Sequence, residues 1–186
     1  DAAGALKMPG VVKVKAISAG VVVLAKSYWQ AQKARGELAI TWDRGDNDGV
    51  SSEQFYSEYR ALAEQPGMLA EDIGDALGAL SEAGRVIESV YEMPLLAHAT
   101  LEPMNCIAQV SGDACTIWSG TQYQSNDQEV ISRFLGIPQE NVTVHRPLMG
   151  GSFGRRSSKK ADFTVEAVEA AMGENVPVKI IWSREE

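Results

Sequence analysis

The stretch NVTVHRPLMGGSFGRRSSKKADFTVEAVEAAM, residues 141–172, decides the fold. Its alternating apolar start predicts a strand over 141–146, and the segment 160–172, which is apolar nearly all round, predicts a buried helix. Between them lies a glycine-rich loop, residues 149–156, whose glycines allow the backbone to approach a ligand closely. This order of strand, loop and buried helix indicates an α+β domain with a ligand-binding loop.

The charge distribution points to the same loop. The chain has 17 basic and 25 acidic residues and a formal charge of −8, but residues 145–160 contain five Lys/Arg and no acid. An acidic chain argues against broad nucleic-acid binding, which requires a basic face. Arg155 and Arg156 carry the fork-shaped donors that suit phosphate or the polar edge of a cofactor. Neither Walker nor dinucleotide-binding glycine spacing is present, so a tight strand-to-helix turn stays open as the alternative.

Apolar periodicity predicts short strands and helices in the rest of the chain. The other predicted strands are 11–17, 21–25, 38–42, 85–93, 104–110, 114–119 and 176–182. The other predicted helices are 28–35 after a Ser27 cap, one that begins at the capping box 51–54, a weak one within 68–84, and one from an Asn126 or Ser125 cap to Gly136. These elements divide the chain into an α+β unit over 1–43, an acidic linker with one or two helices over 44–84, and a mixed α/β subdomain over 85–186.

The sequence predicts no metal site. The acidic loop 43–52 resembles a calcium loop, but Arg44 and Phe55 fall where that loop requires acids. The two cysteines, Cys106 and Cys115, fit no zinc spacing. Both lie in apolar runs and are interpreted as buried free thiols, although a disulfide stays possible and their redox state is open.

Two further residues, His98 and Glu102, lie in an irregular polar segment between predicted strands. They could form an acid–base pair, or they could hold the loop together through a structural hydrogen bond. We favour the structural interpretation because no third catalytic partner lies nearby, and no serine occupies a nucleophile elbow.

No predicted segment spans a membrane, because the longest aliphatic run, 21–25, falls far short of the ~20 residues required. No secretory signal is visible, and the chain begins at Asp1 rather than Met. We therefore expect a processed chain or an excised piece.

Four blocks together resemble one family: AHATLEPMNC at 97–106, WSGTQ at 118–122, FLGIP at 134–138 and MGGSFGRR at 149–156. They are similar to the large, molybdopterin-binding subunit of the xanthine oxidase family of molybdenum hydroxylases, most of all to the isoquinoline 1-oxidoreductase β subunit and bacterial aldehyde dehydrogenase types. Residues 1–43 more loosely resemble the end of the α/β hammerhead domain of the family. The resemblance therefore implies a partial hammerhead unit followed by a truncated molybdopterin-binding subdomain.

This resemblance also implies a function. Family members hydroxylate N-heteroaromatic compounds or aldehydes with water as the oxygen source. Their cofactor is molybdopterin, here expected in the cytosine dinucleotide form, and their electrons leave through a small iron–sulfur subunit. Together with the properties of the loop, the resemblance predicts cofactor contacts from Gln122, Gly150, Gly151, Ser152, Phe153, Gly154 and Arg155.

Several departures from the family pattern limit this expectation. Ser152 stands where many relatives have Gly, and Leu96 stands about where xanthine dehydrogenases have a Gln beside the molybdenum. The catalytic Glu of the family lies near the C-terminal end of a much longer subunit. We therefore expect no catalytic residue in this chain, and we expect the chain alone to be inactive and without cofactor.

Other expectations remain open at this point. A truncated sheet edge could pair with a second copy, giving a homo-oligomer. The isoquinoline-type resemblance slightly favours a periplasmic over a cytoplasmic location in a bacterium. Two alternative functions are a non-catalytic anion- or phosphate-binding α+β module built on residues 150–156, and a scaffold that docks a partner through the acidic linker.

Overall fold

A four-stranded mixed sheet covered by two helices forms the centre of the α+β fold. The computed structural model describes residues 1–185. The helices are α1 (Ala3–Leu6), α2 (Tyr28–Arg35), α3 (Ser52–Ala63), α4 (Ala76–Glu82), α5 (Gln124–Leu135) and α6 (Asp162–Ala171). The strands are β1 (Val11–Ile17), β2 (Gly20–Ala25), β3 (Asn105–Ser111), β4 (Ala114–Ser119), β5 (Val142–His145) and β6 (Val178–Ile181).

The central sheet has the strand order β5-β4-β3-β6. β3 and β4 form an antiparallel hairpin around Gly112, β6 adds antiparallel to β3, and β5 runs parallel to β4. Helices α5 and α6 lie on one face, and α6 packs on β3 and β6. The buried core on this face contains Met104, Cys106, Ala108, Cys115, Ile117, Ile131, Val142, Phe163, Ala167, Val168, Ala170, Ala171 and Val178. The all-round apolar pattern of α6 therefore reflects its position between the sheet and its neighbours.

The N-terminal segment belongs to the same compact unit as the sheet. Residues 1–41 and the residues from 98 onward form this unit, whereas 42–97 form a second one. In the first unit, β1 and β2 pair as a hairpin, and Val22 and Leu24 of β2 pack against the central core. The Ser27 side chain caps α2 by accepting from the Gln30 N–H, as the sequence predicts. The division at residues 43 and 84 stays a prediction about domain organisation.

The second unit contains two capped α-helices, α3 and α4, and otherwise a 3-10 turn at Gly45–Asn47 and irregular segments. The Ser51 hydroxyl accepts from the Gln54 N–H at the start of α3, and the Asp75 carboxylate accepts from the Gly78 N–H at the start of α4. Arg60 of α3 pairs with Glu92 at 2.7 Å. No residue of 42–97 is buried. Local capping therefore defines these helices, and they build no core of their own.

Two predicted strands are wrong, because residues 38–42 and 85–93 are irregular. Both segments have strand-like composition, but neither finds a neighbouring strand, and Ile87 and Val90 remain 76% and 78% exposed. A strand requires a hydrogen-bonding partner, which composition does not reveal. The predicted cap of α5 is also wrong: this helix begins at Gln124, and Asn126 instead donates to the carbonyls of Ser158 and Lys159.

Both cysteines are buried free thiols. Burial raises the pKa of Cys115 to about 11 and raises that of Cys106 further, so both stay protonated at neutral pH. No helix among residues 1–185 has the length and apolar character needed to cross a membrane.

Candidate functional site

The glycine loop (residues 149–156) follows β5 and has an unusual backbone. Gly151 and Gly154 have φ values of 95° and 93°, in the left-handed region. Between them, Phe153 adopts φ 54° although it has a side chain, and that side chain is 76% exposed. This conformation costs roughly 1–3 kcal/mol for a non-glycine residue. A strained, exposed aromatic residue between two left-handed glycines indicates a loop shaped for binding.

The backbone N–H groups of this loop are available to a ligand. Within the described chain, the four consecutive N–H groups of Gly151, Ser152, Phe153 and Gly154 have no hydrogen-bond partner. A Cβ added at Gly151 would meet nothing closer than Phe153 at 3.5 Å, and one at Gly154 nothing closer than His98 at 4.0 Å. Successive backbone N–H groups without protein partners, beside open space, can donate to oxygen or other acceptor atoms.

Buried Arg156 holds the carbonyl side of the loop. The residue is 1% exposed, and its guanidinium donates to the carbonyls of Gly151 at 3.0 Å, Gly120 at 3.2 Å and Glu102 at 2.9 Å. These carbonyls belong to three separate loops. Burial lowers the pKa of Arg156, but an arginine stays charged, so the carbonyls and the Glu102 carboxylate at 3.6 Å compensate the buried cation.

Glu102 fastens the start of the loop. Its carboxylate accepts from the Gly150 N–H and from the Asn105 amide. Burial raises the pKa of Glu102, but the hydrogen bonds from Asn105 and Gly150, together with the charges of Arg156 and Lys179, bring the pKa below its ordinary value. Glu102 is therefore charged at neutral pH. A Cβ at Gly150 would lie 2.7 Å from the Glu102 Cβ, so this glycine is required for close approach.

These contacts form neither of the two predicted pairings of His98 with Glu102, the acid–base pair or the structural hydrogen bond, and His98 is exposed. Glu102 bonds to the glycine loop and to Asn105, and no hydrogen bond joins it to His98 within the described residues. The imidazole Nε2 of His98 instead lies 4.0 Å from where a Gly154 Cβ would stand. Glu102 holds the glycine loop through partners other than His98, and both residues flank that loop.

Arg155 faces the protein. It forms a two-point ion pair with Asp162 at 3.2 and 2.9 Å, and its guanidinium lies 5.1 Å from the ring centre of Trp182. Asp162 is the first residue of α6. Its carboxylate therefore occupies the helix N-terminus where a bound anion would otherwise lie. Both arginine side chains are therefore engaged inside the protein. The anion-binding alternative loses the two charges on which it depends.

Gln122 lies beside the loop, held by Ser152. The Ser152 hydroxyl, which is 8% exposed, bonds to the Gln122 side-chain oxygen, and the Gln122 backbone N–H donates to the Arg156 carbonyl at 3.0 Å. The structure thus brings together all seven residues predicted to contact the cofactor, with Arg155 turned inward. Sequence reasoning missed the site roles of Asn105, Gly120 and Thr121. Their signal was weak, since a Gly or Thr after a strand is typical of many turns.

The available groups do not form a metal site. Among residues 1–185, no group of three or more His, Cys, Asp and Glu side chains is placed to hold a metal ion. The fold and the glycine loop define an α+β domain with backbone donors that no described protein group uses, in a loop held by Arg156 and Glu102.

Comparison with known proteins specifies this class further. The family described as molybdopterin cofactor-binding domain matches residues 62–186. The chain is 30% identical to the isoquinoline 1-oxidoreductase subunit beta of Brevundimonas diminuta, over 100% of the chain and 25% of that protein. It is 29% identical to the aldehyde oxidoreductase molybdenum-binding subunit of Escherichia coli O157:H7, over 88% of the chain and 22% of that protein.

A solved structure shares the fold. The chain matches quinoline 2-oxidoreductase from Pseudomonas putida 86 with a TM-score of 0.67 and 18% identity, over 100% of the chain and 29% of that structure. The chain spans about a quarter of the length of the curated relatives it matches.

The chain therefore belongs to the molybdopterin cofactor-binding domain family. This confirms the resemblance to the molybdopterin-binding subunits of the xanthine oxidase family and confirms the α+β fold class. The glycine loop lies inside the matched region. Its free N–H groups and the open space at Gly151 and Gly154 fit a ligand with several acceptor atoms. A pterin that carries a phosphate group is such a ligand.

Proposed function

We propose that this chain holds the molybdopterin of a molybdenum hydroxylase that oxidises N-heteroaromatic compounds or aldehydes, with water as the oxygen source. The observation that carries the proposal is the row of four free N–H groups in the glycine loop, inside the family match. The substrate classes follow the names of the relatives, an isoquinoline oxidoreductase and an aldehyde oxidoreductase.

The residues of this chain would bind and orient the cofactor. The N–H groups of Gly151, Ser152, Phe153 and Gly154 would donate to its acceptor atoms, and Gln122 would add a side-chain contact. When bound, molybdopterin supplies the molybdenum at which substrate is oxidised and electrons are collected. Arg156 holds the loop through the Gly151 carbonyl, and Glu102 holds it through the Gly150 N–H.

We further propose that the catalytic base, most contacts to a cytosine dinucleotide form of the cofactor, and the iron–sulfur clusters lie outside these 186 residues. The chain covers about a quarter of its relatives, which supports the first two parts. It has only two cysteines, both buried in the core of the sheet, whereas an iron–sulfur cluster needs about four thiolate ligands. A small iron–sulfur subunit would therefore be the electron-accepting partner.

The proposal predicts that Gly151→Ala lowers the cofactor content of the native complex. Gly151 has φ 95°, so a Cβ strains the loop that carries the free N–H groups. The complex is isolated through a tag on this chain from cells that make its natural partners, and its molybdenum and pterin contents are measured. We expect both contents to fall below those of the wild-type complex, because the substitution should weaken cofactor affinity by about tenfold, equivalent to about 1.4 kcal/mol.

Gly136→Ala is the matched control. Gly136 has φ 68° at the end of α5 and open space around it, so the substitution imposes a similar backbone penalty away from the loop. It should leave the cofactor content unchanged. Equal cofactor loss in both variants would contradict the proposed site. Oxidation of an aldehyde or N-heteroaromatic probe in ¹⁸O-labelled water by the wild-type complex tests the reaction, and product without label would contradict it.

A further inference from the structure

The side-chain amide of Gln122 has one of its two polar atoms, the oxygen Oε1, in contact with the protein. The Ser152 hydroxyl bonds to the Gln122 oxygen Oε1 and at the same time accepts the Arg156 backbone N–H at 3.1 Å. An amide oxygen and nitrogen have nearly the same shape, so their assignment depends on the hydrogen-bond network. Here the Ser152 hydroxyl accepts from Arg156, and the only acceptor that its own hydrogen reaches among the described residues is the Gln122 side chain.

Counting hydrogens fixes the orientation of the amide. A serine hydroxyl has one hydrogen to donate and two lone pairs that accept. One lone pair of Ser152 takes the Arg156 N–H, so its hydrogen goes to Gln122, which must present an acceptor, the oxygen. With the amide reversed, Ser152 would accept twice, and its own hydrogen would lack an acceptor in a residue that is 8% exposed. An unsatisfied buried donor costs about 1–3 kcal/mol.

The Arg156 N–H cannot turn away to relieve this arrangement. The Arg156 guanidinium bonds to carbonyls of three loops, and the Arg156 carbonyl accepts both the Gln122 N–H at 3.0 Å and the Thr121 hydroxyl at 3.2 Å. The backbone on both sides of the Ser152–Gln122 contact is therefore held. Gln122 is an exposed residue, and the remaining group of its amide, Nε2H₂, has no hydrogen-bond partner among the described residues.

We propose that Ser152 is a positioning residue that sets the polarity of the Gln122 amide, so that two N–H donors face outward beside the glycine loop. These donors take a hydrogen-bond acceptor atom of the bound pterin cofactor. This part rests on the proposed function, whereas the orientation of the amide does not. Ser152 acts through Gln122 and its hydroxyl does not itself touch the cofactor.

Hydrogen exchange of the Gln122 side chain tests the orientation without any cofactor. In the ¹⁵N-labelled full chain, with the signal assigned by its loss in Gln122→Ala, the Nε2H₂ group should exchange at the rate of a free primary amide. Protection by about tenfold or more, which equals about 1.4 kcal/mol, would mean that the nitrogen bonds to Ser152 and would overturn the proposal.

Cofactor content of the native complex tests the consequence. Ser152→Ala frees the amide to rotate, and Gln122→Glu replaces the outward donor with an acceptor while leaving the Ser152–Arg156 bond in place, so both should lower pterin and molybdenum content. Ser152→Thr keeps a hydroxyl and should restore it. Ser157→Ala, which removes a nearby hydroxyl that donates to Gly154 instead, should match the wild type.

The outcomes separate the two proposals. Wild-type cofactor content in both Ser152→Ala and Gln122→Glu would overturn the positioning role. A wild-type complex without molybdenum or pterin would overturn the proposed function and the ligand assigned to the amide, while exchange would still decide the direction of the amide.

Discussion

At the scale of single residues, adjacent arginines of the same chemistry have different roles. Arg156 is buried with its nitrogens on backbone carbonyls, whereas Arg155 pairs with Asp162 at the edge of the site. Burying a cation is costly unless it is paired and hydrogen-bonded, and the Glu102 carboxylate and the surrounding carbonyls meet that requirement. Sequence reasoning identified both as ligand-binding charges, because the direction of a side chain is set by packing.

Asp127 should make the protein less stable as the pH rises. It lies in the first turn of α5, is 3% exposed, and one of its oxygens has no partner among residues 1–185. Burial raises the pKa of Asp127 to about 6, from an ordinary value of 3.8. Because the folded state then binds the proton more tightly than the unfolded state, stability should fall between about pH 4 and pH 6 and level off above. Asp127→Asn should remove this loss and raise the free energy of unfolding by roughly 2–3 kcal/mol at pH 7.

Denaturant unfolding at several pH values checks this prediction. Glu140→Gln is the control, because Glu140 is exposed and its neutralisation removes the same charge from the surface. It should leave the pH profile unchanged. A constant difference between Asp127→Asn and wild type from pH 4 to pH 7 would show that the buried carboxyl does not titrate there.

At the scale of elements, structure that depends on neighbours in sequence was predictable. The hairpin of β3 and β4 forms around Gly112 within a few residues of its predicted bounds, and Ser27 and Ser51 cap their helices as expected. Caps and tight turns are satisfied locally. The predicted strands at 38–42 and 85–93 are wrong because a strand needs a partner, and no local pattern supplies one.

Lys15 joins the N-terminal hairpin to α6. Its ammonium donates to the carbonyls of Glu169 at 2.6 Å and Met172 at 2.8 Å, with Ala170 at 3.4 Å. These carbonyls belong to the last turn of α6, where no helical partner exists and the helix dipole favours a cation. Lys15→Met keeps the aliphatic stem and removes the charge, so it should lower the free energy of unfolding by about 1.5–3 kcal/mol.

Thermal and denaturant unfolding measure this effect. Lys26→Met, at an exposed lysine directly after β2, is the control and should change stability by less than about 0.5 kcal/mol. If both variants lose the same stability, the contact of Lys15 with α6 contributes nothing specific.

At the scale of the whole molecule, the chain should not hold molybdenum by itself. Phe153 of the glycine loop is 76% exposed, and Leu148, just before the loop, is 100% exposed. Its relatives are about four times longer. We therefore predict that the purified 186-residue chain contains far less than stoichiometric molybdenum and oxidises neither aldehydes nor N-heteroaromatic probes.

Elemental analysis after gel filtration makes this measurement. The native complex, isolated through a tag on the same chain, is the positive control and should contain molybdenum and iron together. Stoichiometric molybdenum on the purified chain would overturn the prediction and would mean that the glycine loop and its neighbours form a complete site.

Local pattern alone determined the hairpin, the Ser27 and Ser51 caps, the glycine loop and the family resemblance, because each depends on residues close together in sequence. The tertiary structure decided that Arg156 points inward, that Glu102 holds Gly150, and that Ser152 orients Gln122. These contacts join three loops separated by up to 54 residues. The physical reason is that a buried polar group takes whichever partner the fold places beside it, and only the packed chain determines which partner that is.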